Sequence, residues 1–167
     1  IFELGNIFIP KSLPLTEYPQ EKETLCVGIF GEKESFFTLK GFAETVAESL
    51  GVTFAYEKEQ ATFLHTYQTA AIYCEGTKVG VLGKVTYEIM DELDMRVGAY
   101  IMQMDLVELS QWYGKAQVFT PLPKFDVEKR DFAFVVDKDL SCAEIENGIK
   151  EACTYVTNVH LFDVYEG

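Results

Sequence analysis

The chain has 167 residues, enough for one sizeable core or two small ones at about 100 to 200 residues per domain, and its 48% hydrophobic and 25% charged content is that of an ordinary globular protein. No apolar run approaches the ~20 residues of a membrane span and no signal-peptide pattern opens the chain, so a cytoplasmic protein is expected. The net charge of −13 divides as −8 over residues 1–122 (9 basic, 17 acidic) and −5 over 123–167 (5 basic, 10 acidic), with no basic block in either part. Such a chain cannot grip DNA or RNA through phosphates by itself; any RNA contact must use a few bases, with phosphate contacts supplied by a larger assembly.

The first residue is Ile1 and FELGNIFI already reads as a strand, so the chain is expected to be a piece of a longer polypeptide. Pro10 ends that strand, and residues 11–22, carrying Pro14 and Pro19, read as a solvent loop. Thr24 to Phe30 is a short apolar strand, followed by a polar turn at 31–34. From Phe37 to Leu50, Leu39, Phe42, Val46 and Leu50 recur at helical spacing, and Gly51 stands where a left-handed C-terminal cap belongs. Val52 to Tyr56 is a strand; Ala70 to Cys74 and Lys78 to Val85 flank Glu75-Gly76-Thr77 and read as a hairpin. Thr86 should cap a short helix to Leu93 with Ile89, Met90 and Leu93 inward. Val97 to Asp105 reads as a strand, its charge-poor centre Tyr100 to Met104 buried, and Leu106 to Tyr113 as a helix ended by Gly114. Residues 117–124 are a Pro-punctuated connector and the expected domain boundary.

Beyond it, Arg130 to Asp137 contains FAFVV, apolar on both faces as in a central strand. Ser141 with Glu144 is a capping box: the hydroxyl accepts a free backbone N–H of the first turn and the carboxylate reaches back to the cap. Ile145, Ile149 and Ala152 or Cys153 continue one helical stripe, and Val156 to Tyr165 reads as a second strand. The arrangement is α+β: an antiparallel sheet with helices, then a strand-helix-strand unit.

Few residues suggest chemistry. Cys26, Cys74, Cys142 and Cys153 form no C-x-x-C pair, and His65 and His160 lie far from them and from each other, so no metal site is expected. Cys142 and Cys153 read as small buried thiols on the helix. Gly28, Gly31, Gly80 and Gly83 make no phosphate-loop pattern; Gly83, inside a strand, points to close packing or a bulge. Asp91, Glu92 and Asp94 lie on a solvated helix end, and Ser141 lacks a histidine partner. Trp112, Tyr113 and Phe119, near the boundary, are candidates for an inter-domain contact.

KFDVEKRDFAFVVD, the capped helix and LFDVYEG resemble the opening of the ferredoxin-fold anticodon-binding domain that ends the β subunit of bacterial phenylalanyl-tRNA synthetase. Upstream, FELGNIF, SFFTLKGFAETVAESLG, KVGVLGKVTYEIMDELDM and VGAYIMQMDLVEL resemble the second half of that subunit's catalytic-like module, in the family's order. The resemblance implies a class II synthetase-like but non-catalytic module over 1–116, a linker over 117–124, and the N-terminal half of the anticodon-binding domain over 125–167. It implies a part of phenylalanine–tRNA ligase, an α2β2 assembly with a catalytic α subunit that uses ATP and Mg²⁺ to join phenylalanine to tRNA(Phe). This chain itself would hold no cofactor and no catalytic residue. A class II site needs two arginines to hold ATP phosphates by bidentate contact, and Arg96 and Arg130, the two arginines of the chain, sit in neither context.

By the same resemblance the F-D-x-Y motif places Asp163 and Tyr165 against the first anticodon base. A tyrosine ring stacks on a base for about 1 to 3 kcal/mol, a carboxylate accepts from guanine amino and imino groups, and residues two apart on a strand point the same way. The alternative is that Tyr165 packs in a core or interface and Asp163 caps a loop. Arg130 and Asp131 also match a family motif, although a local ion pair explains them equally well. In the ferredoxin-like order a third strand lies between the first two, so 130–137 and 156–165 are expected to lack their usual partner and to lie apart, rearrange, or borrow a strand from another copy. The other functional reading is a stand-alone interaction module that keeps the fold without the RNA role, and the acidic charge favours it slightly.

Overall fold

The computed structural model describes residues 1–114, 119, 121–122 and 124–165. The chain divides into two compact units, Ile1–Thr120 and Pro121–Gly167. In unit 1 the elements run β1 (Phe2–Ile9), β2 (Gln20–Phe30), α1 (Phe36–Leu50), β3 (Phe54–Lys58), β4 (Leu64–Cys74), β5 (Thr77–Val85), α2 (Tyr87–Glu92), β6 (Ala99–Asp105) and α3 (Leu106–Ser110). The six strands form one antiparallel sheet in the order β1-β2-β6-β5-β4-β3. The expected α+β architecture is borne out.

Alternation along β6 sets the layers. Tyr100, Met102 and Met104 point to one face with Leu82, Ile72, Cys74 and Phe54, where Leu39, Ala43 and Ala47 of α1 and Leu109 of α3 cover them. Ala99 and Ile101 point to the other face, where Val85 and the α2 residue Met90 form a smaller cluster. The α1 stripe is rotated from its expected position: Ala43 and Ala47 face the sheet and Phe42 is exposed. Alanine lets the helix backbone sit close to the strands, which two bulky residues at those positions would prevent. Ser35 caps α1 in a box with Thr38, and Gly51 ends it at φ 69°, donating to Ala47 and Glu48 carbonyls.

Other local expectations hold with adjusted bounds. Glu75 and Gly76 both have positive φ, 49° and 80°, the two-residue turn whose twist matches a hairpin. β2 starts at Gln20, inside the expected loop, because Phe8 and Ile9 of β1 pair with Glu21 and Gln20 and fix that backbone despite its polarity. Thr86 stands at the N-cap of α2 but makes no side-chain cap bond, and Leu93 points into solvent rather than inward. Trp112, expected at an inter-domain contact, is 5% exposed and packs in the core of unit 1, while Tyr113 and Phe119 are exposed.

Unit 2 holds α4 (Cys142–Ala152), begun by the capping box expected at Ser141 and Glu144: the Ser141 hydroxyl accepts from the Glu144 backbone N–H, and the Glu144 carboxylate accepts from the Ser141 backbone. The expected strands at 130–137 and 156–165 form no ladder with each other or with any described residue, so their lateral backbone groups are left to solvent. Phe132 and Phe134 stack on each other at 6.3 Å but remain exposed. Cys142 and Cys153 are likewise exposed, correcting the expectation of buried thiols, because α4 has no layer over it among the described residues. Half of the connector at 117–124 (117, 118, 120 and 123) lies outside the described residues.

Two glycines in β5 are fixed by contact. A Cβ on Gly80 would lie 2.4 Å from the Gln103 carbonyl of β6, and one on Gly83 would lie 2.6 Å from the Gln68 carbonyl, in agreement with the close packing expected there. Gly41, in mid-helix, meets nothing within 4 Å. Urea melts of the single variants should therefore separate in sign: Gly80→Ala loses about 1 to 3 kcal/mol by overpacking, whereas Gly41→Ala gains about 0.5 to 1 kcal/mol by removing a helix glycine.

Candidate RNA and subunit interfaces

Chemistry can be weighed first. Arg96 lies 3.8 Å from Asp94 and Arg130 2.6 Å from Glu128, both in exposed local pairs. Arg130 thus forms the expected local ion pair, with Glu128 rather than Asp131 as partner. The two arginines belong to different units. Among the described residues no group of three or more His, Cys, Asp or Glu could hold a metal ion. The residues present do not fit a nucleoside triphosphate with its metal, and no chemical step can be assigned to them.

A shallow groove of about 390 Å³ crosses one end of the sheet, lined by Ile7 and Ile9 on one side, Phe63 on the other, and Thr24, Gln103 and Asp105 between. Its charges are self-neutralised. Lys22 Nζ donates to Asp105 at 2.6 Å, and Lys78 pairs with Glu59. Asp105 also caps α3, accepting from the backbone N–H groups of Val107 and Glu108 at 3.0 and 3.1 Å. Partial burial pushes the Asp105 carboxyl up, but the Lys22 ammonium and the two N–H donors outweigh it and hold the group below its ordinary value. The hydrogen bond to Asp105 outweighs desolvation at Lys22 and holds that ammonium's pKa above its ordinary value.

The more telling surface is β1. It is an edge strand eight residues long, exposed throughout, and apolar on both faces. By register, Phe2 and Leu4 lie beside Val27 and Leu25, and with Phe8 they extend the helix-covered face past its helices; Phe2 is 70% and Phe8 61% exposed. Ile7 and Ile9 face the opposite way, into the groove. Edge strands are commonly short, charged or covered; this one is long and bare, with Glu3 as its single charge. Its apolar pattern was legible in FELGNIFI; its place at an edge was not.

In unit 2, Asp163 and Tyr165 are both exposed, Tyr165 at 91%. Neither makes a hydrogen bond or ion pair among the described residues, so Tyr165 does not pack in a core here and Asp163 caps no loop. No ladder fixes the strand that would align the two side chains.

Residues 1–106 match the model of the phenylalanyl tRNA synthetase beta chain CLM domain. The chain belongs to the phenylalanyl-tRNA synthetase β-chain family. Residues 123–167 match the ferredoxin-fold anticodon binding domain. The family expected from FELGNIF through LFDVYEG is thereby borne out. Among curated relatives, the phenylalanine–tRNA ligase beta subunit of Clostridium acetobutylicum is 34% identical over 171 aligned positions, covering 100% of this chain and 21% of that protein. That of Halalkalibacterium halodurans is 32% identical, covering 100% and 22%. That of Bacillus licheniformis is 35% identical, covering 99% and 22%. The chain therefore spans about a fifth of the length of the curated relatives it matches. Among the described residues no helix is long and apolar enough to cross a membrane.

The Lys22–Asp105 pair gives unit 1 of this family member a defined pH window. Asp105 is depressed in the fold, so its contribution is present above the unfolded value of about 3.9 and is lost as pH falls through the lower folded value. Lys22 is raised, so its contribution is present below about 10.4 and lost as pH rises through the higher folded value. Thermal melts should show stability falling below about pH 4, and Asp105→Asn should flatten that fall while lowering stability at pH 7 by about 1 to 3 kcal/mol.

Proposed function

We propose that the chain is a non-catalytic part of phenylalanine–tRNA ligase, serving as scaffold for a catalytic α subunit and as a docking element for tRNA(Phe). The observation that supports the scaffold role most is β1: an exposed edge strand with apolar side chains on both faces is built to be covered by another protein surface. The whole enzyme, an α2β2 assembly in the cytoplasm, would use ATP and Mg²⁺ to join phenylalanine to its tRNA, with the nucleotide held outside this chain. Residues 1–116 form the catalytic-like module, 117–124 the linker, and 125–167 the first half of the anticodon-binding domain.

In the docking role, the Tyr165 ring offers a stacking face to an anticodon base, and the Asp163 carboxylate accepts from the amino and imino groups of guanine. Both are solvent-accessible, as is most of unit 2. A carboxylate repels phosphate, so this pair reads a base and leaves the backbone to cations elsewhere. The acidic balance of −13 supports a second reading, a stand-alone interaction module without an RNA role.

Steady-state aminoacylation by the full-length parent with its α subunit separates the two. Tyr165→Ala should raise KM for tRNA(Phe) about five- to a hundredfold, the loss of one stacked base, with kcat little changed. An unchanged KM would remove the docking assignment and favour the stand-alone module. ATP-dependent aminoacylation by the 167-residue chain alone would contradict its non-catalytic role.

A further inference from the structure

Unit 1 carries one more cluster that is built into the fold. Between β4 and β5 the register passes from Leu64↔Val85 to Thr69↔Gly83, so residues 65–68 of β4 lie opposite the single residue Lys84. A flat ladder cannot absorb that surplus; the backbone bulges and re-aims its side chains. Gly83 makes room for the bulge, since a Cβ there would lie 2.6 Å from the Gln68 carbonyl and 2.8 Å from Thr69 Oγ1. Thr69 Oγ1 donates to the His65 carbonyl at 2.7 Å and closes the loop of chain.

The raised segment presents His65 and Tyr67, whose ring centres are 6.1 Å apart. His65 also stands edge-on to Tyr87, at 5.5 Å and 87°. Lys84 donates Nζ to the Tyr87 hydroxyl at 3.1 Å and lies 4.6 Å from the centre of that ring. Tyr67 is 90% exposed, and Tyr87 is exposed beside it. The Tyr67 backbone N–H donates to His65 Nδ1 at 3.2 Å, so the proton of the neutral ring sits on Nε2 as a free donor.

The cluster joins a cation to exposed aromatic rings. Lys11, Lys22, Lys40, Lys78 and Arg96 are each paired with a carboxylate. Lys84, like Lys33 and Lys58, forms no such pair among the described residues, and of these three it is the one that lies over an aromatic ring, that of Tyr87. Open ring faces, an imidazole donor and an uncompensated ammonium in one patch match a nucleotide: a base stacks on the ring while its phosphate meets the cation. The flanking residues Thr66, Gln68 and Glu88 are polar, unlike the apolar surround that a buried protein contact needs.

We propose that His65, Tyr67, Lys84 and Tyr87 form a second RNA contact of this chain, taking an unpaired nucleotide of the bound tRNA. The inference rests on the tRNA-docking reading above. Its test is fluorescence anisotropy of labelled tRNA(Phe) transcript with the full-length parent assembled with its α subunit, titrated at several salt concentrations. Tyr67→Ala should weaken binding about five- to a hundredfold, and Tyr67→Phe, which keeps the stacking face, should bind like the unaltered protein. Lys84→Ala should reduce the slope of log K against log salt by about 0.7 to 1, one phosphate contact. If Tyr67→Ala and Lys84→Ala leave affinity and slope unchanged while Tyr165→Ala weakens binding, this proposal alone fails. If the unaltered assembly does not bind the transcript, the docking reading and this proposal fail together. If Tyr67→Ala splits the assembly in sedimentation velocity, the patch is a protein contact and the proposal is overturned.

Discussion

Backbone pairing along β6 is the interaction on which unit 1 depends. The strand is laddered on both sides, to β2 through Ala99–Asp105 and to β5 through Tyr100–Met104. Because both edges are satisfied, its alternation can commit Tyr100, Met102 and Met104 to the larger core and Ala99 and Ile101 to the smaller one. The same strand then runs directly into Asp105, which caps α3 and holds Lys22 of β2. One element thus sets the layers, the start of a helix and a cross-strand ion pair. Gly80 shows how tight the arrangement is, since even a methyl group would strike the β6 backbone.

Unit 2 shows the same physics without that satisfaction. FAFVV in 132–136 is as apolar as β6, yet it buries nothing, because side-chain pattern alone cannot supply a lateral partner. The α4 helix forms regardless: its capping box and helical hydrogen bonds are contained within its own few residues. Local bonds survive where non-local ones are missing. The exposure of Asp163 and Tyr165 follows from this, and so does the lack of a ladder to align them.

The same distinction decides what could be read from the sequence. The ends of α1, the Glu75-Gly76 turn and the Ser141 box were legible because each is specified by residues within a turn of one another. The choice of Ala43 over Phe42 for the inward face was not, since it depends on how closely a helix may approach strands far away in sequence. Trp112 looked like a boundary residue and is core for the same reason. β2 begins four residues early because β1 reaches that far. The resemblance singled out Asp163 and Tyr165 as two residues of F-D-x-Y, whereas the His65–Tyr87 cluster leaves no local signal: it exists only through a register surplus between β4 and β5. Gly83 was the one hint, read as close packing or a bulge, without the side chains a bulge would raise.

Electrostatics connect these parts. With most cations of unit 1 already bound to carboxylates, the chain has little positive potential to draw in a polyanion from a distance. What remains is contact chemistry at short range, in which shape and side-chain contact count for more than long-range attraction.

The uncovered β1 edge bears on how such a chain is made. A strand apolar on both faces, with free N–H and C=O groups along its outer side, is a template for its own sequence as well as for its proper cover. An edge of this kind left bare can pair with the same edge of another copy. Solubility therefore depends on that edge being covered.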